Sequence, residues 1–482
     1  MGLVETVDLP EPADLGPVHF IAIGGSGMNG IATAFLQLGI RVSGSDRQDS
    51  AYLRTLKAAG ARVYVGHAAD QLGDARTVVA SSAIRDDNPE LAEARRRGLR
   101  VLHRSAALGS LMLHRRGIAV AGTHGKTTTT AMIAQMLTGA GLDPSFVIGG
   151  ALTGSKTGGH IGGGDVMVVE ADESDGSFLQ YPAEIAVVTN IDPDHLSNWG
   201  TAERYAEGFF RFATAPAVRL LVVSADDPGA VALTTRVRQR AVNGERSLEI
   251  VTFGQSSDAD VRISGAEFAG TGSRFEIGTA DAKGSVTLSV PGDYNVRNAA
   301  ASYAVARWLG VPDEQIRAQL SAYRGTYRRF QLIGTVDGIR VFDDYAHHPT
   351  EVANTLAAAR TGVGDGRVVV CFQPHLYTRT RDFWRELSGA LELADQAIVM
   401  DVCGDREDPI PGIDGRMVSD AVAPGTAEVT YEPVWDEAAP TVARIARPGD
   451  LVITVGCGDV TKVAPRIVAE LERRSTHIGG RR

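Results

Sequence analysis

The sequence predicts an α/β protein built from more than one mostly parallel sheet. Three observations predict it. Short β-branched runs alternate with longer Ala/Leu-rich stretches, two glycine-rich turns each join such a run to a helix-like stretch, and 482 residues are too many for one hydrophobic core.

The runs HFIAI, RVSGSD, TVVASSAI, IAVAG, VMVVEA, IAVVTN and RLLVVSA read as buried strands. Between them GIATAFLQLG, YLRTLKAAG, NPELAEARRRG and TTTTAMIAQMLTGAG read as helices closed by glycine caps. Strand–helix alternation needs crossover connections, hence parallel sheets. The turns at Gly24–Gly30 and Gly122–Gly125 lie far apart, which assigns them to separate sheets, with LHRRG at 113–117 as a linker. From Thr252 to Val290 short polar-alternating strands predict an antiparallel excursion, followed by the helix NVRNAAASYAVARWLGV. A second boundary falls at Arg324–Arg329, after which IRVFDDYA, RVVVCFQ, QAIVMDV and LVITVG resume as strands.

Composition narrows the function. At 44% hydrophobic and 22% charged, the chain has an ordinary globular make-up. It has no apolar run near the ~20 residues of a membrane span, so no membrane insertion is expected. The leader MGLVETVDLPEPADLG is acidic and lacks a basic region followed by an apolar stretch. It therefore reads as a frayed leader, not a signal peptide. Cys371, Cys403 and Cys457 are odd in number and irregularly spaced, which argues against a disulfide framework and a zinc site and for reduced thiols in the cytoplasm. A net charge of −10 argues against a general nucleic-acid binder, which would want a basic footprint. The terminal RRSTHIGGRR is expected to be a solvated tail.

Several strand ends carry chemistry. Gly122-Thr123-His124-Gly125-Lys126-Thr127-Thr128 follows a strand and opens a helix, the context of a P-loop. Glycines let successive N–H groups turn inward around an anion, and the helix N-terminus adds partial positive charge. Lys126 would reach the β- and γ-phosphates of a nucleotide, and Thr127 would ligate Mg²⁺. The loop departs from GxxxxGK[ST] in having Val120 at the first glycine. Glu170, Asp172 and Glu173 cluster after VMVV, where an acid can hold Mg²⁺; Asp192, Asp194 and His195 follow the next strand and should face the same cleft. Gly25-Ser26-Gly27-Met28-Asn29-Gly30 fits GxGxxG, with Asp46 at the next strand end, a pattern that suits a pyrophosphate and a ribose. DYNVRN precedes a helix and has amides that could read a base; Arg328-Arg329 at the boundary could swing onto phosphates. The segments around Tyr345–His348 and His375–Arg381, rich in His, Tyr and Arg, suit a small carboxylate.

Taken in order, GTHGKTTTT, VEADESDGSF, VVTNIDPDH, DYNVRNAAAS, RRF and DDYAHHPTE resemble the Mur ligases, over nearly the whole chain. The resemblance implies three domains: a Rossmann-like UDP-substrate domain at 1–115, a central P-loop ATPase-type domain at 116–326, and a Rossmann-like domain at 327–482 for the amino acid and nucleotide closure. It implies ATP-dependent joining of L-alanine to UDP-N-acetylmuramate through an acyl phosphate, giving ADP and phosphate, in peptidoglycan precursor synthesis. It also implies Mg²⁺ (two ions, with Mn²⁺ as a substitute) and a cytoplasmic monomer or weak homodimer. Carried over, Gly122, Thr123, His124, Gly125, Lys126, Thr127 and Thr128 hold the ATP phosphates. Thr127, Glu173 and His195 are the metal ligands, Asn295 and Asn298 meet adenine, and Arg329 and Asp344 reach the nucleotide. Gly25, Ser26, Gly27, Met28, Asn29, Asp46, His67 and Ser82 take the UDP sugar. Tyr345, His347, His348 and Arg379 orient the amino acid, and Lys126, Glu173, His195 and His347 form the catalytic set.

Two departures stand out. NWGTAERYAEGFFRFA lacks the lysine that later ligases of the pathway carbamylate, and Leu376 stands where many alanine-adding relatives have arginine. The rivals are a recycling ligase that attaches a preformed peptide to the same sugar nucleotide, a nicotinamide-dependent oxidoreductase built on the first glycine turn, and a nucleotide-sensing regulator. The oxidoreductase leaves the P-loop unexplained, and the regulator leaves the Lys126, Thr127, Glu173 and His195 set unexplained.

Overall fold

The computed structural model describes residues 2–152, 158–244, 246–405 and 407–479, and it is α/β with three sheets. The first sheet holds β1 Val18–Ile21, β2 Val42–Asp46, β3 Arg62–Val65, β4 Thr77–Ala80 and β5 Arg100–His103. Its order is β3-β2-β1-β4-β5, parallel throughout. The second holds β6 Arg116–Ala121, β7 Ser145–Val147, β8 Gly159–His160, β9 Val166–Glu170, β10 Ile185–Val188, β11 Leu220–Ser224, β12 Glu249–Gly254, β13 Val261–Ala269, β14 Gly272–Gly278 and β15 Lys283–Leu288. They run in the order β15-β14-β13-β12-β11-β10-β6-β9-β7-β8. The third holds β16 Gln331–Val336, β17 Ile339–Asp344, β18 Val368–Phe372, β19 Gln396–Met400, β20 Glu428–Glu432 and β21 Leu451–Val455, in the order β16-β17-β21-β18-β19-β20.

Strand order decides which loops meet. In a parallel sheet the carboxyl ends of neighbouring strands open on one edge, where ligands bind. In the second sheet β6 lies between β9 and β10, so the P-loop, the acidic turn and the Thr189–His195 loop leave side by side. In the third, the ends of β17, β21, β18 and β19 are consecutive.

The chain forms two compact units. One comprises Met1–Gly265, Phe275–Val286 and Val296–Tyr323, and the other Ala266–Arg274, Thr287–Asn295 and Arg324–Arg482. In the first unit a continuous apolar core joins the first two sheets through Phe35, Leu108, Val169 and Phe178. Phe178 stacks on Phe212 at 5.0 Å and meets Phe209 edge-on at 5.3 Å. The helix Ser26–Gln37 packs on β8 through Gly30, where an added Cβ would lie 3.0 Å from the Gly158 carbonyl oxygen. The third glycine of the first turn therefore serves close packing. The second unit packs Phe342, Val370, Val399 and Ile453 on one face of its sheet and Val341, Val369, Ile398 and Val452 on the other. This is the two-sided burial that near-continuous apolar strands require.

Three expectations need correction. The leader is not frayed: Val4 N–H donates to the Asp175 carbonyl (2.8 Å), and Val7 N–H donates to Gln180 Oε1 (2.8 Å). Gln180 Nε2 donates back to the Val7 carbonyl (2.7 Å), while Leu3 and Leu9 pack on the core and Leu15 is fully buried. Spaced leucines, which a reading by charge passes over, anchor it. The expected tail continues the helix Val463–Gly479, with residues 480–482 outside the described residues. The excursion starts a strand late, because β12 pairs parallel with both β11 and β13.

Candidate active site

The P-loop is shaped by its own glycines and by the end of β10. Gly125, at φ 85°, caps the helix Lys126–Gly139 in the left-handed region, and an added Cβ there would sit 2.7 Å from Asn298 Oδ1. Asn190 Oδ1 accepts from His124 N–H (2.9 Å). The His124 carbonyl accepts from Asn190 Nδ2 (3.0 Å) and from Thr189 Oγ1 (2.6 Å). Thr123 Oγ1 donates to the Asp192 carbonyl (2.8 Å) and lies 2.9 Å from the Tyr205 hydroxyl. The loop is thus clamped before any ligand arrives. Asn190→Ala removes the side chain's bond to the His124 N–H and leaves the His124 carbonyl with the Thr189 hydroxyl, a loss of about 1–2 kcal/mol of loop order. ADP affinity measured by calorimetry should fall about tenfold, with secondary structure unchanged.

Lys126 Nζ donates to the carbonyls of Gly122 (2.7 Å) and Thr123 (3.1 Å) and lies 2.7 Å from Glu173 Oε2. Burial alone would lower the pKa of the lysine, but Glu173 and Asp172 outweigh it and raise it. Thr127 Oγ1 donates to Glu170 Oε1 (3.0 Å), whose other oxygen accepts from Gly149 N–H (2.8 Å). His195 stands at φ 53°, with its ring nitrogen Nε2 3.3 Å from Asp194 Oδ2. The short helix after it is tied to the acidic turn: Trp199 Nε1 donates to the Glu173 carbonyl (2.9 Å), and Asn198 Nδ2 donates to that of Ser174 (3.0 Å). The structure thus joins the loops of the expected metal ligands Thr127, Glu173 and His195. The hydroxyl and carboxylate oxygens of Thr127 and Glu173 suit Mg²⁺ or Mn²⁺, for which the His195 imidazole is the less apt donor.

Burial pushes the Glu173 carboxyl up, Lys126 draws it back and Asp172 pushes it up again, leaving it at about 7. A raised folded pKa favours the protonated fold. Stability from this group is therefore complete below the ordinary glutamate range and is lost as pH climbs through about 7. The nucleotide-free protein should lose on the order of 3 kcal/mol over that window, and Glu173→Gln should flatten the slope; denaturant melts between pH 4 and 8 check this.

Arg104 is a residue that motif reading missed. It opens the helix Arg104–Met112, its Nη2 lies 2.5 Å from Asp172 Oδ2, and its Nη1 occupies the space a Cβ on Gly27 would need. Burial opposes ionisation of Asp172, but Arg104 and Lys126 hold its carboxyl well below the usual range. One guanidinium thus connects the first glycine turn to the acids beside the P-loop.

The residues expected to take the UDP sugar gather at the carboxyl ends of the first sheet. Asp46 Oδ2 accepts from Gly24 N–H (3.0 Å) and so holds the glycine turn. Met28 and Asn29 are buried; Asn29 Nδ2 donates to the carbonyls of Gly25 and Ser26 (both 2.9 Å), so its amide braces the turn. Ser82 donates to Asp175 Oδ2 (2.5 Å) and lies 3.1 Å from His103 Nε2. Burial lowers the His103 pKa to about 4.

In the second unit, Asp344 accepts from the N–H groups of Phe330 (2.7 Å) and Ala346 (2.8 Å). Burial raises its carboxyl to about 6. Arg328 and Arg329 place their guanidinium centres 4.8 and 5.0 Å from the Tyr345 ring centre. Arg328 is not available to swing onto phosphates: Nη2 donates to the Gly456 carbonyl (2.6 Å), and Nε lies 3.3 Å from Asp343 Oδ2. His347 Nδ1 is 3.0 Å from the Tyr345 carbonyl, so it carries the proton and leaves Nε2 a bare lone pair. Burial drives the His347 pKa down to about 3. The His348 ring packs edge-on against Phe383 at 5.3 Å, and the two histidine backbone N–H groups donate to Glu351. Arg379 is half-buried and makes no hydrogen bond or ion pair among the described residues. Its charge is felt by His347 and Cys457. Asn295 Nδ2 donates to the Pro291 carbonyl (2.7 Å). Leu376, buried at φ 69°, is the residue before the helix Tyr377–Leu391.

A clamped P-loop beside an acid-rich strand end marks a nucleotide-handling enzyme, and a second glycine turn opens a helix on its own sheet. The chain belongs to the Mur ligase family: the family's catalytic domain matches residues 17–116, its middle domain 120–306 and its glutamate ligase domain 328–458. It is 52% identical to the UDP-N-acetylmuramate–L-alanine ligase of Cutibacterium acnes over 98% of this chain and 100% of that one. It is 47% identical to the enzyme of that name from Thermobifida fusca, over the same shares. Among solved structures it resembles the UDP-N-acetylmuramate–alanine ligase of Thermotoga maritima, with a TM-score of 0.80 and 28% identity over 95% and 99% of the two chains. No helix among the described residues is long and apolar enough to cross a membrane.

Proposed function

We propose that this protein joins L-alanine to UDP-N-acetylmuramate at the expense of ATP, in the cytoplasm. The observation that carries the reading is Lys126, charged and held between the P-loop carbonyls and Glu173, on a chain 52% identical over its length to a ligase of that name. The substrate carboxylate must approach a triphosphate, so two anions meet. Lys126 offsets that charge, and the backbone N–H groups of Gly122–Thr128 cradle the phosphates. Thr127, Glu173 and His195 would hold Mg²⁺, which when bound neutralises further phosphate charge. The carboxylate oxygen attacks the γ-phosphorus and ADP leaves, giving an acyl phosphate.

L-Alanine enters as an ammonium carboxylate. Arg379 takes the carboxylate. His347 Nε2, a lone pair on a neutral ring, accepts a hydrogen bond from the amino group and orients it, while the ammonium gives its proton to solvent. The freed amine attacks the acyl carbon, phosphate leaves and the amide forms. Asp46, Ser82 and the first glycine turn serve the UDP end, with Arg104 between it and the acids.

The test is phosphate release from Mg·ATP with UDP-N-acetylmuramate and, in turn, L-alanine, glycine, L-serine and a tripeptide. Release that needs the sugar nucleotide and L-alanine is expected. Release with the tripeptide alone reassigns the protein to peptide recycling.

A further inference from the structure

A buried carboxylate in the first sheet takes no part in the chemistry above. Glu90, in the first turn of the helix Pro89–Arg96, is fully buried. Oε2 accepts from the Ser45 hydroxyl (2.6 Å) and lies 2.9 Å from His67 Nδ1. Oε1 lies 3.2 Å from Nε2 of the fully buried His19. With its amide nitrogen turned toward them, Gln71 donates to Glu90 Oε1 (2.9 Å) and to the Gly66 carbonyl (3.2 Å). Four donors thus meet the two oxygens. Burial opposes the ionised form, but the bonds from His19 and Ser45 outweigh it and lower the Glu90 pKa. A buried carboxylate seldom adds net stability over an apolar residue of similar size, so its presence asks for another reason.

That reason lies one bond away. His67 Nδ1 faces two acceptors, the Glu90 carboxylate and a Ser45 oxygen (2.8 Å) whose own hydrogen is spent on Glu90. Nδ1 must therefore carry the proton. A neutral imidazole protonated there keeps its lone pair on Nε2. The ring is 22% exposed, and Nε2 has no hydrogen-bond partner among the described residues. His67 follows Gly66, whose N–H donates to the Asp46 carbonyl (2.7 Å), and the Asp46 side chain holds the glycine turn. The bare nitrogen belongs to the end of the sheet assigned to the sugar nucleotide.

We propose that Glu90 is a positioning residue for the sugar nucleotide: it locks His67 in the Nδ1–H tautomer, so that Nε2 accepts a hydrogen bond from an N–H or O–H group of the uridine. The proposal rests on the reading that the first glycine turn holds the uridine diphosphate end. Two groups of a uridine can donate, the imide N3–H of the base and the ribose hydroxyls. Cytosine has a lone pair at N3, so it would meet Nε2 lone pair to lone pair.

Long-range ¹H–¹⁵N correlation on the full chain labelled with ¹⁵N-histidine, with His67 assigned by loss of its signals in His67→Ala, reads the tautomer directly. Wild type should show Nδ1 protonated and Nε2 bare, and UDP should shift Nε2. An Nε2–H tautomer in the free protein overturns the proposal, whatever the variants do. Glu90→Gln should raise the KM for the sugar nucleotide and the Kd for UDP about tenfold, with kcat and the KM values for ATP and L-alanine within about twofold. Placed on His67→Ala, it should weaken UDP no further, because Glu90 acts through that ring. A further tenfold loss on that background overturns the positioning role. CDP supplies the second arm: selectivity for UDP that collapses in Glu90→Gln identifies the imide as donor, and equal losses for both nucleotides identify a ribose hydroxyl. If UDP binds and leaves the His67 nitrogens unmoved, the uridine assignment fails while the tautomer result stands.

Discussion

Lys126→Ala is expected to lower turnover about a thousandfold or more, a loss of roughly 4 kcal/mol of transition-state stabilisation. The side chain does three things at once. It ties the Gly122 and Thr123 carbonyls, it sets its charge 2.7 Å from Glu173, and it stays protonated despite burial. Removing it takes positive charge from the place where two anions must meet, and it leaves a buried carboxyl without its cation. Glu173 will then hold a proton at neutral pH, which limits the damage to stability and deepens the damage to catalysis. Phosphate release under saturating substrates reads kcat, and a thermal melt reads the fold. A folded variant with near-normal turnover would remove Lys126 from the mechanism.

The second large effect is expected at Arg379. Arg379→Ala should raise the KM for L-alanine about a hundredfold, near 3 kcal/mol, and leave the KM for ATP within about twofold. The guanidinium is half-buried, with no ion pair among the described residues, beside a neutral histidine. An arginine kept unpaired there is poised for an external carboxylate, and a planar fork grips one in two places. Arg379→Lys should recover only part of the loss, because an ammonium cannot make both bonds. Equal losses for alanine and ATP would point instead to a general electrostatic role.

The P-loop was legible because its instructions are local. Glycines, a lysine and a threonine in one turn between a strand and a helix need no distant partner to be recognised. The acidic turn and the YAHHP segment were legible for the same reason, since each sits at the end of an apolar run. Partnerships across the chain left no such trace. Arg104 lies in HRSAALGS, which matches no pattern, and meets Asp172 only because the helix it opens packs against the central sheet. Asn190 and Thr189 look like the ordinary close of a strand until β10 is placed beside β6. Arg328, at φ 57°, turns onto the Gly456 carbonyl, which no spacing rule foretells. Charge hid the anchoring of the leader, because its leucines are spread among acids and prolines.

That anchoring bears on the site. The backbone of Val4 is bonded two residues from Glu173, so this segment is a fitting of the acidic turn. Deleting Leu3–Leu9 would therefore work directly on the position of the acid.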